Sequence, residues 1–188
     1  MHDASPRRAV FLDRDGTIIE DADYLTSADE LRILSGAVEG LKRLRQAGLL
    51  LLVVTNQSAV ARGWLTEAQL QEIHRELQGM LRAEGAVVDD FFYCPHLPEG
   101  DVEEYAVTCS CRKPAPGLIE AAAAKWNVDT SRSFAVGDSE RDVVAGQAAN
   151  CYGILLAKEP SIETAADAVV SSLEEAADVI LARLQSAI

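Results

Sequence analysis

The seven residues 49–55, LLLLVVT, restrict the possible fold more than any other stretch of this chain. They form an almost unbroken apolar run of strand length, without the polar alternation of a strand that has one face in water. A strand that is apolar on both sides needs helices over both faces of its sheet, as in parallel sheets. The run therefore predicts a sheet buried inside an α/β protein.

Short apolar stretches alternate with helical patterns along the rest of the chain. Strands are predicted at 8–12, 49–55, 88–94, 133–138, 151–157 and 168–171. Helices are predicted at 36–47, 67–84, 118–126, 141–150 and 173–184, with Thr66 as the N-cap of the second. This order predicts a doubly wound parallel sheet. No long linker divides residues 1–188, so we expect a single domain without a large cap domain.

The composition excludes several classes of partner. The formal net charge of −13 disfavours binding to nucleic acid and to anionic membranes. No run of 18 apolar residues predicts a membrane span, and the first ten residues lack the apolar core of a secretory signal. We therefore expect a cytoplasmic protein, by default a monomer, in which any site for a phosphorylated substrate is locally positive.

Several polar residues follow predicted strands, where ligands of doubly wound sheets bind. Asp13 and Asp15 come after the first strand, two residues apart, and thus point to the same side of an extended segment. A divalent cation could hold Asp13 ionised as a nucleophile or ligand, while Asp15 exchanges a proton as a general acid and base. Gly16 would let the backbone turn away. A plain surface turn is the alternative.

Four further residues have both a functional and a structural interpretation. The Thr55 hydroxyl and the neighbouring Asn56 N–H could hold a phosphate oxygen, or could cap a helix. Lys113 precedes a proline and a helix, where an anion could sit between the lysine and the helix N-terminus, or it could be a surface lysine. Asp138 could be a Mg²⁺ ligand or a helix N-cap.

Four ordered stretches resemble the motifs of the haloacid dehalogenase (HAD) superfamily of phosphotransferases. They are DRDGT at 13–17, which includes Gly16 and Thr17, VVTNQS at 53–58, RKP at 112–114 and GDSERD at 137–142. The resemblance implies that Asp13 is the nucleophile that becomes an aspartyl-phosphate and that Asp15 is the acid and base. It also implies these further roles: Thr55 and Lys113 hold the phosphoryl group, Asp13, the Asp15 carbonyl and Asp138 bind Mg²⁺, and Asp142 supports the acidic end.

Three of the four cysteines lie close together in the middle of the chain, one at the end of the third predicted strand and two in the irregular stretch that follows it. Cys94-x-His96 and Cys109-x-Cys111 are separated by twelve residues, and three thiolates with one imidazole complete a tetrahedral Zn²⁺ site. With four protein ligands such a site is structural, and it would fix the Lys113 that follows it. A redox dithiol is the alternative, and Cys151 is expected to be a buried core thiol.

Residues 94–111, which hold the four predicted zinc ligands and form what we call the zinc loop, make the resemblance more specific. They resemble a loop of HAD phosphatases that have no large cap and act on small phosphorylated metabolites. The resemblance is carried by FLDRDGTI, VVTNQSAVARG, CPHLPEG and CRKPAPG. It implies a heptose bisphosphate as substrate, with histidinol phosphate as the alternative, and the twelve-residue gap favours the heptose branch. A zinc-stabilised binding module without catalysis is the alternative from another class.

The remaining predictions concern single residues. Arg62 and Arg112 are candidates for gripping the phosphate that is not transferred, since arginine suits bidentate phosphate contacts, although either could be a surface residue. Ser139 departs from some relatives of the heptose branch, which carry a lysine there. His2 and His74 have no visible role, and we expect His74 at the surface. Trp64 and Trp126 are expected to anchor packing.

Overall fold

In the computed structural model, residues 5–22, 24–158 and 163–186 are described, so His2 and the ends of the predicted domain lie outside the described residues. The strands are β1 Ala9–Leu12, β2 Leu50–Asn56, β3 Asp90–Cys94, β4 Phe134–Gly137, β5 Tyr152–Leu156 and β6 Ala168–Val170. The α-helices are α1 Ala37–Gln46, α2 Glu67–Ala83, α3 Gly117–Trp126, α4 Glu140–Ala148 and α5 Leu173–Ser186, and short 3₁₀ turns span Ala28–Glu30 and Thr130–Arg132.

All six strands of this sheet run parallel, in the order β3-β2-β1-β4-β5-β6. The chain builds outwards from β1 through β2 to β3, and then returns to the other side of β1 with β4. The winding direction therefore reverses between β1 and β4, and a crevice opens beyond their carboxyl ends. Asp13 directly follows β1 and Asp138 directly follows β4, so the topology brings both aspartates to this edge.

Alternate residues of the central strands face two hydrophobic cores, one on each side of the sheet. In β1, Val10 and Leu12 belong to the larger core, which also contains residues of α1, α2 and α5. Ala9 and Phe11 belong to the smaller core, together with residues of α3 and α4. All four side chains are completely buried. The doubly wound sheet with helices on both faces is thus confirmed.

The ends of the helices and strands mostly follow the sequence signals. At the start of α2, Thr66 Oγ1 accepts from Gln69 N at 3.2 Å and Gln69 Oε1 accepts from Thr66 N at 2.9 Å, as predicted for an N-cap. Strand β3 starts two residues later than predicted. The reason lies in Asp89, whose side-chain Oδ2 accepts from Leu51 N at 2.8 Å, so that regular strand pairing begins only with Asp90.

The stretch 95–116 between β3 and α3 contains neither helix nor strand, as predicted. Within the described residues, the six strands form one sheet, and no large cap domain is inserted between its strands. Among the residues that the structure describes, no helix is both long and apolar enough to cross a membrane.

Candidate active site and metal centres

A cleft of about 260 Å³ opens beyond the carboxyl ends of β1, β2 and β4. Most of the predicted active-site residues line it, although they come from distant parts of the sequence. Its walls include Asp13, Asp15, Thr55, Asn56, Arg62, Arg112, Lys113 and Asp138. The sheet has therefore gathered the residues of all four motifs into one place.

A buried lysine joins two carboxylates at the base of the cleft. Lys113 Nζ lies 2.9 Å from Asp13 Oδ1 and 2.6 Å from Asp142 Oδ1, and it donates to the Val54 carbonyl at 2.7 Å. Lys113 is only 3 % exposed, so the surface-lysine alternative is wrong. Burial by itself would lower the pKa of Lys113, but the carboxylates of Asp13 and Asp142 outweigh it and raise the pKa. We call these three residues the Lys113 triad.

The backbone of Lys113 is fixed by Asn56 at the end of β2. Asn56 Nδ2 donates to the Lys113 carbonyl and Lys113 N donates to Asn56 Oδ1, both at 3.0 Å. The side chain of Asn56 therefore positions the lysine. The predicted phosphate contact concerned the backbone N–H of Asn56, and it stays a prediction.

Three carboxylates meet where β1 and β4 end. One oxygen each from Asp13, Asp138 and Asp142 lies within 4.8 Å of the others. The close approach requires glycine at Gly16, because a Cβ there would lie 1.9 Å from Asp138 Oδ2 and because its φ is +71°. Hard carboxylate oxygens are the ligands that Mg²⁺ prefers, so these residues fit the predicted metal.

The crowding of these carboxylates changes the pKa of Asp138. Partial desolvation, and then the neighbouring carboxylates of Asp13 and Asp142, raise the pKa of Asp138 to about 6, although its side chain keeps contact with solvent. A divalent cation would offset this repulsion. Asp138 is not the N-cap of α4, because that position belongs to Ser139, whose N–H donates to Asp142 Oδ2 at 3.1 Å.

The Asp15 side chain belongs to a second network. Its Oδ1 and Oδ2 accept from Arg14 Nη2 at 2.9 Å and 3.0 Å, and Gln57 Nε2 donates to Oδ2 at 2.8 Å. The same Gln57 Nε2 donates to Thr55 Oγ1 at 2.8 Å. The second network therefore links the predicted acid and base to the predicted phosphate-binding hydroxyl. The predicted Mg²⁺ contact uses the Asp15 backbone carbonyl and stays a prediction.

Sequence reasoning missed three members of this second network. Arg14, Gln57 and His74 are all buried, and Arg14 Nη1 lies 3.2 Å from His74 Nε2. The expectation of a surface His74 is wrong: its ring stacks on Phe91 with the centroids 4.6 Å apart. The helical spacing of the buried face of α2 carried the signal. That face consists of Leu70, Ile73, His74, Leu77 and Leu81.

The mouth of the cleft carries Arg62 and Arg112. The Arg62 guanidinium lies 5.4 Å from the ring centroid of Tyr24 and 5.3 Å from that of Trp64, and its buried Nε has no hydrogen-bond partner among the described residues. Arg112 Nη1 donates to the His96 carbonyl at 3.0 Å. Trp64 is 51 % exposed, so its predicted role as a packing anchor is wrong.

Two other predicted residues are buried away from these networks. Thr17 is 1 % exposed, and within the described structure its Oγ1 lacks a hydrogen-bond partner. Cys151 is a core thiol as expected, and burial raises the pKa of Cys151 to about 12. Trp126, the last residue of α3, is half-buried against the smaller core, as expected for a packing anchor, and donates through Nε1 to Asp90 Oδ2 at 2.9 Å.

The four predicted zinc ligands converge beside the cleft. Cys111 Sγ lies 3.2 Å from Cys109 Sγ, 3.3 Å from Cys94 Sγ and 3.3 Å from His96 Nδ1. These separations are too long for a disulfide, and all four cysteines of the chain are free. A tetrahedron of sulfur ligands with bonds of about 2.3 Å to zinc has edges of about 3.8 Å, so a small expansion admits the ion. Burial raises the pKa of the Cys94 thiol, a cost that a cation would offset.

Comparison with known proteins identifies relatives along most of the chain. Residues 110–185 match a family model described as HAD-hydrolase-like. The chain is 39% identical over 172 residues to the D-glycero-β-D-manno-heptose-1,7-bisphosphate 7-phosphatase of Escherichia coli K12, covering 89% of this chain and 90% of that protein. It is 36% identical over 167 residues to the D-glycero-α-D-manno-heptose-1,7-bisphosphate 7-phosphatase of Photorhabdus laumondii, covering 88% and 91%.

A solved structure agrees with these relatives. The D,D-heptose 1,7-bisphosphate phosphatase of B. bronchiseptica, crystallised with magnesium and phosphate, has a TM-score of 0.78 and 34% identity, over 94% of this chain and 99% of that one. These relatives are phosphatases, which favours an enzyme over a binding module without catalysis. The chain therefore belongs to the HAD superfamily of hydrolases, in the family of the heptose bisphosphate phosphatases.

Proposed function

We propose that this enzyme removes the 7-phosphate of D-glycero-D-manno-heptose 1,7-bisphosphate and releases heptose 1-phosphate, which would feed lipopolysaccharide core or another heptosylated glycan. The observation that carries the proposal is the ion pair between Asp13 and the buried Lys113, in a cleft that is rich in cationic side chains. Five cationic and four acidic side chains line this cleft, whereas the whole chain has a net charge of −13. A phosphorylated substrate therefore meets a locally favourable field.

The chain's own residues divide the reaction into two displacements. An Asp13 carboxylate oxygen attacks the phosphorus, the bond from phosphorus to the sugar oxygen breaks, and Asp15 delivers a proton to the departing alkoxide. Asp15 then takes a proton from the water that attacks the aspartyl-phosphate, which frees Asp13 and inorganic phosphate. Thr55 and Lys113 hold the phosphoryl oxygens in both steps.

Two metals would complete the site. Asp13, Asp138 and the Asp15 carbonyl would hold Mg²⁺, with Asp142 in support, and the ion would offset the charge on the phosphoryl oxygens. Cys94, His96, Cys109 and Cys111 would hold Zn²⁺ and order the loop that leads into Lys113. The requirement for three reduced thiols supports a cytoplasmic location. A single-domain monomer stays our expectation.

Arg62 and Arg112 would bind the phosphate at the far end of the substrate. Both line the cleft together with Lys113, and a guanidinium can bind two phosphate oxygens at once. The twelve-residue gap in the zinc loop and the named relatives support the heptose substrate over histidinol phosphate.

The test is Asp13→Asn combined with a substrate panel. We expect the variant to remain folded and to lose phosphate release by about a thousandfold or more, because an amide is a poor nucleophile. Asp178→Asn, an exposed charge-matched control on α5, should keep full activity. Heptose 1,7-bisphosphate, fructose 1,6-bisphosphate and histidinol phosphate are compared with Mg²⁺ present and then chelated. Full activity of Asp13→Asn, or a preference for histidinol phosphate, would refute the proposal.

A further inference from the structure

Arg14 is a buried cation whose contacts lead away from the cleft as well as into it. Its side chain is 1 % exposed, although its guanidinium carries a full positive charge. A charge at this depth is stable only when its N–H groups find acceptors. Two acceptors are the Asp15 carboxylate and Gln57 Oε1, at 2.9 Å each from Nη2, and a third is His74 Nε2, at 3.2 Å from Nη1.

We propose that His74 is a positioning residue for proton transfer: it fixes the Arg14 guanidinium, which in turn fixes the Asp15 carboxylate. The inference rests on the proposed role of Asp15 as the acid and base. His74 lies on α2 and does not line the cleft, so it acts without touching substrate.

The geometry defines how the contact works. Arginine only donates, so the Nε2 of His74 must accept the hydrogen bond and the ring must be neutral, with its proton on Nδ1. Burial, and then the Arg14 charge, lower the pKa of His74 to about 3, which agrees with a neutral ring. Stacking on Phe91 of β3 holds the ring plane within 15° of parallel, so the lone pair of Nε2 has a fixed direction.

Packing alone does not explain a histidine at this position. The other buried residues of α2 are Leu70, Ile73, Leu77 and Leu81, all aliphatic. His74 is the polar member of that face, and its Nε2 meets the one side of the guanidinium that neither Asp15 nor Gln57 reaches in the described contacts. Without it, Nη1 would lack this acceptor, and the guanidinium would turn and carry Asp15 with it.

The effect should therefore fall on the chemical step and leave substrate binding unchanged. The experiment measures single-turnover phosphate transfer from heptose 1,7-bisphosphate, together with KM, in the full-length protein with Mg²⁺. His74→Leu fills the volume without an acceptor, and His74→Gln retains one. Each is also made in the Asp15→Asn background. Ile73→Val, a neighbour on the same face, is the control for a packing change alone.

We expect His74→Leu to slow transfer about tenfold with KM unchanged, a fraction of the total that acid–base catalysis supplies. His74→Gln should stay within about threefold of the wild-type rate, and Ile73→Val within about twofold. In the Asp15→Asn background, His74→Leu should change the rate less than about twofold, because the residue acts through Asp15.

Three results would overturn the inference: a wild-type rate for folded His74→Leu, an equal loss in the Asp15→Asn background, or a rise in KM that accounts for the whole effect. If His74→Leu does not fold, His74→Met is judged by the same criteria. The proposed function is tested separately, since an inactive Asp13→Asn with a normal His74→Leu refutes only the positioning role.

Discussion

The floor of the cleft and the loop of residues 94–113, which we call the cysteine loop, differ in how their crowded side chains are stabilised. The cleft floor brings carboxylates together, which repel each other, and the cysteine loop brings three thiols together, where burial opposes their ionisation. In the cleft, the chain supplies its own cation, because Lys113 Nζ lies between Asp13 and Asp142. In the loop, three sulfurs and one imidazole nitrogen converge, and the neighbouring Arg112 donates to the backbone carbonyl of His96. We therefore expect the cleft floor to depend mainly on the protein's own charges, and the loop to depend on a bound ion.

The backbone around each site reflects this difference. Asp13 directly follows the buried strand β1 and Asp142 lies in the first turn of α4, so packing of the two cores fixes these two residues of the triad. Lys113 lies in the stretch between β3 and α3, where Asn56 at the end of β2 holds its backbone. The cysteine loop between β3 and α3 contains no helix or strand that could order it. The comparison leads to four predictions, which test how far the two regions depend on their cations.

The largest effect is expected from Lys113→Met. Removing the lysine leaves Asp13 and Asp142 buried and close together without their cation, which should cost about 3–5 kcal/mol of unfolding free energy. Urea unfolding of the metal-free protein measures this. Lys125→Met is the matched control, because its lysine is 61 % exposed in its pair with Asp90 and should cost less than about 1 kcal/mol. An equal loss of unfolding free energy in both variants would mean that Lys113 does not stabilise the two buried carboxylates.

The next effect is expected from losing zinc. Cys109→Ser, or chelation of the native protein, should loosen residues 94–113 and lower activity about tenfold, because the loop leads directly into Lys113. Hydrogen exchange of the loop, bound zinc and phosphate release are measured on the same sample. Cys151→Ala removes a thiol outside the cluster and should leave loop exchange unchanged. Normal kinetics in verified zinc-free protein would show that the active site does not depend on zinc in the cysteine loop.

A smaller effect concerns pH and magnesium. The raised pKa of Asp138, about 6 against an ordinary 3.8, means that between these values the folded metal-free protein holds a proton that the unfolded chain has released. Stability of the metal-free protein should therefore fall as pH rises through this window. Magnesium competes with that proton, so about tenfold more Mg²⁺ should be needed at pH 5 than at pH 7 for the same rise in Tm.

Asp138→Asn provides the control for this pH effect. It removes the titrating carboxylate, so the dependence of the Mg²⁺ requirement on pH should flatten while binding weakens overall. A requirement that stays constant between pH 5 and pH 7 in the wild-type protein would show that Asp138 does not compete with protons for the metal.

The smallest effect is expected from Arg112→Ala, at the junction of the two regions. Its side chain lines the cleft and also donates to the carbonyl of His96. We expect KM for heptose 1,7-bisphosphate to rise about tenfold with little change in kcat, as for the loss of one charged contact to the distal phosphate. A fall in zinc content with unchanged KM would instead assign Arg112 to the loop alone.

Sequence reasoning correctly predicted which residues with a suggestive local spacing line one cleft or converge in one cluster. Asp13 and Asp15 stand two apart after an apolar run, and the Cys-x-His and Cys-x-Cys pairs have the spacing of metal ligands. It failed where a residue gains its role from a distant partner. His74 reads as one more polar residue of an amphipathic helix, and its partner Arg14 is 60 positions away.

Trp64 shows the opposite error. Its size suggests a buried anchor, yet it lies exposed beside Arg62 and Tyr24 at the mouth of the cleft. Burial of a single aromatic residue depends on what the fold places around it, and local sequence contains no record of that environment.

The sequence by itself determined the parallel sheet covered on both faces, the carboxylates at the strand ends and the two sets of predicted metal ligands. These features depend on local periodicity and on short spacings, which the chain carries wherever it folds. Only the tertiary structure decided that Lys113 lies between Asp13 and Asp142 and that Arg14 bridges Asp15 to His74. The reason is that these contacts depend on which strand ends and helix faces become neighbours, a property of the sheet order that no local pattern encodes.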